Sequence, residues 1–153
     1  MPLRVSVALA THAVDFHLGI IALRFTGCLM ETNLEEPTTC LLVEDDVFVS
    51  DAYKMVLEDA GIRVCHIAAN EVDAIEALLA RRPDIALVDV DIAGGDSLGV
   101  ATALIAKDVA VAFVSGHPHT VLTAPFSGLP FLQKPVTRAA LLALAETLRK
   151  TKL

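Results

Sequence analysis

Asp84-Ile85-Ala86-Leu87-Val88-Asp89-Val90-Asp91 carries the pattern from which the architecture follows. Four apolar residues, Ile85 to Val88, run directly into a carboxylate, Asp89. So short an apolar run, bounded by polar residues, suits a parallel strand covered on both faces. A carboxylate straight after it is costly unless a cation lies close by. Three further runs end the same way: Leu41-Leu42-Val43 before Glu44-Asp45-Asp46, Val111-Ala112-Phe113-Val114 before Ser115, and Pro130-Phe131-Leu132-Gln133 before Lys134-Pro135. In an open parallel sheet the carboxyl ends of the strands converge on one crevice. Neighbouring strands would therefore gather acids, a hydroxyl and an ammonium at one edge, a set suited to a divalent cation and a phosphoryl group.

Working outward, the pattern alternates from Thr39 onward. Strands are expected over 39–44, 62–67, 84–89, 109–115 and 129–133. Helical periodicity fills the gaps. In 47–60 the apolar stripe is Phe48, Ala52, Met55, Val56 and Ala60, stopped by Gly61. In 71–82 it is Ile75, Leu78 and Leu79, with Asn70 as cap and Pro83 as terminator. A less periodic helix is expected over 96–107, opening at Asp96 or Ser97. In 137–150 the stripe is Leu141, Leu144, Ala145 and Leu148, with Thr137 as cap and Arg149 and Lys150 in the last turn. Between Ser115 and Lys134, Pro118, Pro125 and Gly128 leave room for at most a turn or two. Strands alternating with helices predict right-handed crossovers and an α/β doubly wound parallel sheet of five strands.

The chain has 153 residues, 54% of them hydrophobic and 20% charged, which describes a globular protein with a real core. Trp is absent and aromatics make up 5%, so that core must be aliphatic. A net charge of −7 and the lack of Lys/Arg clusters argue against direct nucleic-acid binding. Cys28, Cys40 and Cys65 form no CxxC pair and read as reduced, buried thiols. Residues 1–38 read as an N-terminal extension and linker, and 39–153 as the main domain. Asp15 and Arg24 cut 1–29 into runs too short for a membrane span. That segment suits a dispensable extension, a helix packing on this domain or a partner, or a targeting peptide with Thr26-Gly27-Cys28 as cleavage site. His12, Asp15 and His17 make it a poor signal. Met30 opens the polar stretch as a linker or a natural start.

Each polar strand end has an ordinary explanation taken singly. Adjacent acids suit a helix N-terminus, a Ser suits a turn, and a Lys before Pro suits the surface. In register they form a set. Mg²⁺ takes oxygen ligands and keeps several waters, so two or three carboxylates and a carbonyl suffice. A carboxylate attacking phosphorus gains from positioning and from neutralised charge. His117-Pro118-His119 could suggest a metal pair, but with no third ligand nearby it reads as surface. Gly94-Gly95-Asp96 lacks the GK[ST] ending of a phosphate loop.

From Thr39 to Lys150 these residues resemble the receiver domain of two-component response regulators. The family's acidic pair after strand one is matched by Glu44-Asp45. Its phosphoacceptor at the end of strand three is matched by Asp89, its Ser/Thr after strand four by Ser115, and its Lys-Pro after strand five by Lys134-Pro135. The resemblance implies a flavodoxin-like (βα)5 fold with a shortened fourth helix. It also implies Mg²⁺ held by Glu44, Asp45, Asp89 and the backbone carbonyl of Asp91, a switch through Ser115 and Phe131, and a cis Lys134-Pro135 bond. It further implies a cytoplasmic, single-domain protein that is not a turnover enzyme. Such a protein is phosphorylated by a sensor histidine kinase or histidine phosphotransfer protein and signals through a downstream protein. Two departures stand out. Ala93 and Asp96-Ser97 occupy places where the family has Pro and Asp-Gly, with Gly94-Gly95 left to supply the turn. Asp91 and His117 occupy positions that tune phosphoryl lifetime in the family.

Two other functions fit parts of the pattern. A degenerate receiver would dock partners without phosphorylation. Leu87-Val88-Asp89-Val90-Asp91-Ile92-Ala93 also resembles the nucleophile motif of haloacid-dehalogenase-type phosphatases, with Asp89 as nucleophile and Asp91 as general acid. In that family the nucleophile follows the first strand. Here two strand–helix units precede Asp89 and only 64 residues follow it.

Overall fold

The computed structural model describes residues 36–151 and, before them, strands at Val7–Ala8, Ile20–Phe25 and Cys28–Asn33. The chain divides into two compact units, Met1–Glu36 and Pro37–Leu153. In the first, Cys28–Asn33 pairs antiparallel with Ile20–Phe25 on one side and Val7–Ala8 on the other. This replaces the helix offered as one reading of 1–29. It also places Met30 inside a strand, opposite both Val7 and Leu23, so the polar stretch does not begin as a linker. Two β-rich runs separated by only two residues satisfy their backbone groups most directly by pairing with each other. The charged residues of the doubtful signal (His12, Asp15, His17) and most of its cleavage site (Thr26, Gly27) lie outside the described residues.

The second unit is built on a five-stranded sheet. Its strands are β1 (Thr39–Val43), β2 (Arg63–Ala68), β3 (Ile85–Val88), β4 (Ala110–Ser115) and β5 (Phe131–Gln133). All neighbours are parallel, in the order β2-β1-β3-β4-β5. The helices are α1 (Val47–Asp59), α2 (Glu71–Ala80), α3 (Leu98–Ala106) and α4 (Arg138–Thr151). The crossover helices and the 2-1-3-4-5 order make the doubly wound fold, with its topological switch point between β1 and β3.

Every residue of β1 and β3 is buried, as the unbroken apolar runs require. Alternate side chains serve two cores. Leu41, Val43, Ala86, Val88, Val111 and Phe113 face α2 and α3, where Ala74, Leu78, Val100, Ala101 and Leu104 meet them. Cys40, Leu42, Ile85, Leu87, Ala112 and Val114 face α1 and α4 through Leu57, Leu141, Leu144, Ala145 and Leu148. The stripe of α4 is therefore the expected one.

Those of α1 and α2 are met only in part, by Val56 and by Leu78. Phe48 and Met55 are 87% and 70% exposed, while Ser50 and Leu57 are buried and Tyr53 is half-buried against the sheet. Ser50 tolerates burial because its hydroxyl donates to the Val47 carbonyl of its own helix at 3.1 Å. In α2 the buried residues are Ala74 and Leu78, leaving Leu79 outside.

Caps follow the sequence at three ends. Asp46 accepts from the N–H groups of Phe48 and Val49 at 2.9 and 3.2 Å, Asn70 accepts from Asp73 at 3.0 Å, and Thr137 accepts from Ala140 at 3.2 Å. At α3, Asp96 Oδ1 accepts from the N–H of Leu98 at 3.0 Å, whereas Ser97 makes no capping bond with its side chain. Between β4 and β5 the chain forms only two 3₁₀ turns, His119–Val121 and Phe126–Gly128. The fourth crossover helix is thus reduced to a strap, pinned by the buried Leu122 and Phe126.

Candidate functional site

The switch point is occupied by the residues that end β1 and β3. Glu44 continues β1, and its N–H donates to the carbonyl of Ala68 at 2.9 Å. Asp89 continues β3, donating to the carbonyl of Val43 at 2.8 Å. These bonds fix both carboxylates side by side while leaving only 5% and 8% of the residues exposed. The chain then brings Lys134 in from β5. Its ammonium donates to Glu44 Oε2 and to Asp89 Oδ2, each at 2.6 Å. Such short charge-assisted bonds are what two buried carboxylates need. Burial pushes the Glu44 carboxyl above its usual range despite the ammonium. For Lys134 burial works downward, but the bonds and charges of Asp89 and Glu44 together hold it above the ordinary lysine value.

The remaining acceptors are filled by backbone. The N–H of Asp46 donates to Glu44 Oε1 at 3.2 Å, and that of Asp91 to Asp89 Oδ1 at 3.3 Å. Ser115 ends β4 fully buried. Its hydroxyl accepts from the N–H of His117 at 3.3 Å and its carbonyl from the N–H of Lys134 at 2.8 Å. The Lys134-Pro135 peptide is cis. Phe131 pairs in register with Phe113 and packs, half-buried, on the opposite face of the sheet from Leu132. Its ring meets that of His119 edge-on, with centroids 5.2 Å apart. Of the expected site residues, then, Lys134 binds both Glu44 and Asp89, and Ser115 adjoins them at the next strand end. Phe131 stands one strand-turn upstream. Asp45 is exposed beside Glu44.

Three features escaped the sequence reading. The loop behind Asp89 is ordered as a small antiparallel ladder, Asp91–Ile92 against Gly95–Asp96, turned by Gly94 and Gly95 at φ 95° and 151°. It is tied down by the Ser97 hydroxyl, which donates to the Asp89 carbonyl, and by the Ala93 N–H on the Ala69 carbonyl at 3.2 Å. The Ser97 side chain therefore serves the loop after Asp89 rather than the helix. The carboxylate of Asp91 meets His117 Nε2, joining the loops after β3 and β4. Tyr53 lines a small cavity with Leu42, Val43, Leu87, Val114 and the two buried acids. Burial raises its phenol above the usual value, with Glu44 and Asp89 adding to the effect and Lys134 opposing it. No periodicity argument selects Tyr53, because the residues that line the cavity with it come from three strands.

Hard oxygen donors dominate, with three carboxylates, Glu44, Asp45 and Asp89, against one ammonium. Among the described residues no three acidic, histidine or cysteine side chains close into a metal cage. Mg²⁺ does not require one, since it binds through one or two carboxylates and retains its waters. The donor set fits that ion.

The family model of the response regulator receiver domain matches residues 40–146. The chain belongs to this family. As a receiver it is a module of two-component systems, a class that generally binds Mg²⁺ at the phosphorylation site and interacts with histidine kinases or phosphotransfer proteins. Receivers generally act as signalling modules without enzymatic activity of their own. The receiver is 34% identical over 118 residues to the phosphoglycerate transport system transcriptional regulatory protein PgtA of Salmonella typhimurium, covering 74% of this chain and 28% of that protein. It spans less than a third of each curated relative that it matches. Among solved structures, SdrG from Sphingomonas melonis is 27% identical, with a TM-score of 0.66 over 75% of this chain and 98% of that one. A CheY-like receiver from Methylobacillus flagellatus, 24% identical over 73% of this chain and 98% of that one, shares the fold with a TM-score of 0.65. No helix among the described residues is long and apolar enough to cross a membrane.

Proposed function

We propose that this receiver accepts a phosphoryl group on Asp89 from the phosphohistidine of a sensor histidine kinase or histidine phosphotransfer protein, in the cytoplasm, and signals through a protein partner. Residues 39–153 are the receiving part and 1–38 an extension. The observation that carries this reading is the Lys134 ammonium shared at 2.6 Å between Asp89 and Glu44 at the switch point. In the transfer, an Asp89 carboxylate oxygen attacks phosphorus. The new P–O bond forms as the P–N bond breaks, and the donor imidazole keeps the electron pair and takes a proton. Lys134 holds the free carboxylate before transfer and faces the added phosphoryl oxygens after it. Glu44, Asp45, Asp89 and the backbone carbonyl of Asp91 would hold Mg²⁺. When bound, the ion supplies charge neutralisation on the phosphoryl oxygens. The Ser115 hydroxyl, an acceptor in the resting state, turns to donate to the phosphoryl group. Phe131 responds as part of a two-state equilibrium.

The phosphatase reading fits less well, because the Asp91 carboxylate it needs as general acid is engaged by His117. Incubation with Mg²⁺ and acetyl phosphate, followed by intact-mass and peptide mass spectrometry, tests the proposal. The expected result is one base-labile phosphoryl adduct, mapped to Asp89 and lost in Asp89→Asn and on chelation of Mg²⁺. Absence of any adduct on the wild type favours a phosphorylation-independent docking module. Sustained turnover of phosphate monoesters favours the phosphatase.

A further inference from the structure

The proposed transfer gives no part to Ser97, a polar residue that is fully buried. It stands at the N-terminus of α3, yet its side chain makes no capping bond, and Asp96 serves Leu98 instead. Its hydroxyl donates to the carbonyl of Asp89, and its N–H donates to the carbonyl of Val90 at 2.9 Å. One residue therefore holds two consecutive carbonyls, and with them the peptide planes that lead from Asp89 to Asp91.

The bond to Val90 also sets the phase of the small ladder after β3. Opposed residues in an antiparallel pair alternate between bonded and non-bonded positions. With Ser97 bonded to Val90, the next pair, Asp91 opposite Asp96, falls at a non-bonded position. The N–H and C=O of Asp91 therefore both turn away from Asp96. The N–H shows where they turn, since it donates to Asp89 Oδ1 at 3.3 Å. In an extended residue the carbonyl lies on the same edge as the N–H, so that of Asp91 is presented on the side of the Asp89 carboxylate.

Building on the proposed Mg²⁺ role of that carbonyl, we infer that Ser97 is a positioning residue for the metal. Its hydroxyl and N–H clamp the main chain so that the Asp91 carbonyl stays on the side where Asp89 lies. Mg²⁺ takes few protein ligands and demands near-ideal octahedral geometry, so a carbonyl free to swing is a poor ligand. Outer partners that fix a ligand commonly set metal affinity by about 10–100-fold. The clamp supplies by hydrogen bonding the order that the loop's missing Pro would otherwise give it.

Isothermal titration calorimetry of the full chain with MgCl₂ tests the clamp. Ser97→Ala removes only the hydroxyl, from a position where no side-chain cap is lost. It is expected to weaken Mg²⁺ binding about tenfold. The Mg²⁺ concentration giving half the maximal rate of adduct formation from acetyl phosphate should rise by a similar factor. Ser97→Cys, with a weaker donor in similar volume, is expected to fall between wild type and Ser97→Ala. Leu148→Ala, in the core on the other face of the sheet, controls for stability. It should lower Tm at least as far as Ser97→Ala while keeping the wild-type Mg²⁺ affinity. Wild-type affinity in Ser97→Ala, or an equal loss in Leu148→Ala, makes Ser97 merely structural and overturns the inference while the metal reading stands. A wild type that binds no Mg²⁺ overturns both. Mg²⁺ binding without any adduct overturns the phosphoacceptor alone, and the calorimetry then decides the clamp by itself.

Discussion

Replacing Lys134 by Met removes the one cation shared by two buried carboxylates while keeping the length of the side chain. Two charge-assisted bonds of 2.6 Å are lost, each worth about 1.5–3 kcal/mol. The lysine side chain is 22% exposed, so water screens part of this. We expect a loss of about 3 kcal/mol at pH 8, within the range for breaking a buried pair, and a fall in Tm on the order of 10 °C. The sign of the pH dependence separates this from a packing defect. In wild type the raised Lys134 value means that its contribution is present below the ordinary lysine pKa of about 10.4 and is lost as pH rises through the folded value. In the variant, burial already raises Glu44, and with the ammonium gone the Asp89 charge beside it raises Glu44 further. The folded variant therefore binds more protons than its unfolded chain in the carboxylate range, and its stability rises as pH falls. The gap to wild type should narrow from pH 8 to pH 5, and Glu44→Gln should restore much of it at pH 8. Urea unfolding with an unchanged m-value measures all three. Equal stabilities at pH 8, or a gap indifferent to pH, would refute the account of the Lys134 bridge.

Phe113→Ala should cost about 3–5 kcal/mol, because the ring is fully buried at the centre of the sheet and packs on Phe126; chemical denaturation measures it. Gly99→Ala should be neutral or raise Tm slightly. A Cβ there would stand 2.2 Å from Glu71 Oε1, the free end of an exposed side chain that can swing away, while the first turn of α3 gains part of the about 1 kcal/mol of propensity that separates Ala from Gly in a helix interior.

Much of the site was legible because its residues follow strands whose apolar runs are unmistakable. Parallel strands expose their carboxyl ends together, so Glu44, Asp89, Ser115 and Lys134 could be grouped although 90 residues separate the first from the last. The side chains that tune the site were not legible in the same way. Tyr53 looks like an ordinary helix residue until α1 is laid on the sheet. The inner face of α1 carries Ser50, Tyr53 and Leu57 rather than the more apolar Phe48 and Met55. A periodicity argument ranks faces by hydrophobicity, and here the helix turned a less apolar face inward because Ser50 satisfies its own hydroxyl within the helix. The loop after Asp89 lacked the expected Pro and Asp-Gly, yet it is held by the Ser97 hydroxyl and by pairing across Gly94-Gly95.

The amino-acid sequence alone determined which strands form the five-stranded parallel sheet, their alternation with helices, and which residues sit at their carboxyl ends. Those properties depend on local periodicity and on the two-residue alternation of a strand. Only the tertiary structure decided that one ammonium is shared by two acids, that Asp91 meets His117, and that His119 lies on Phe131. These contacts join segments far apart in the chain, and their geometry is set by how the loops close over the sheet.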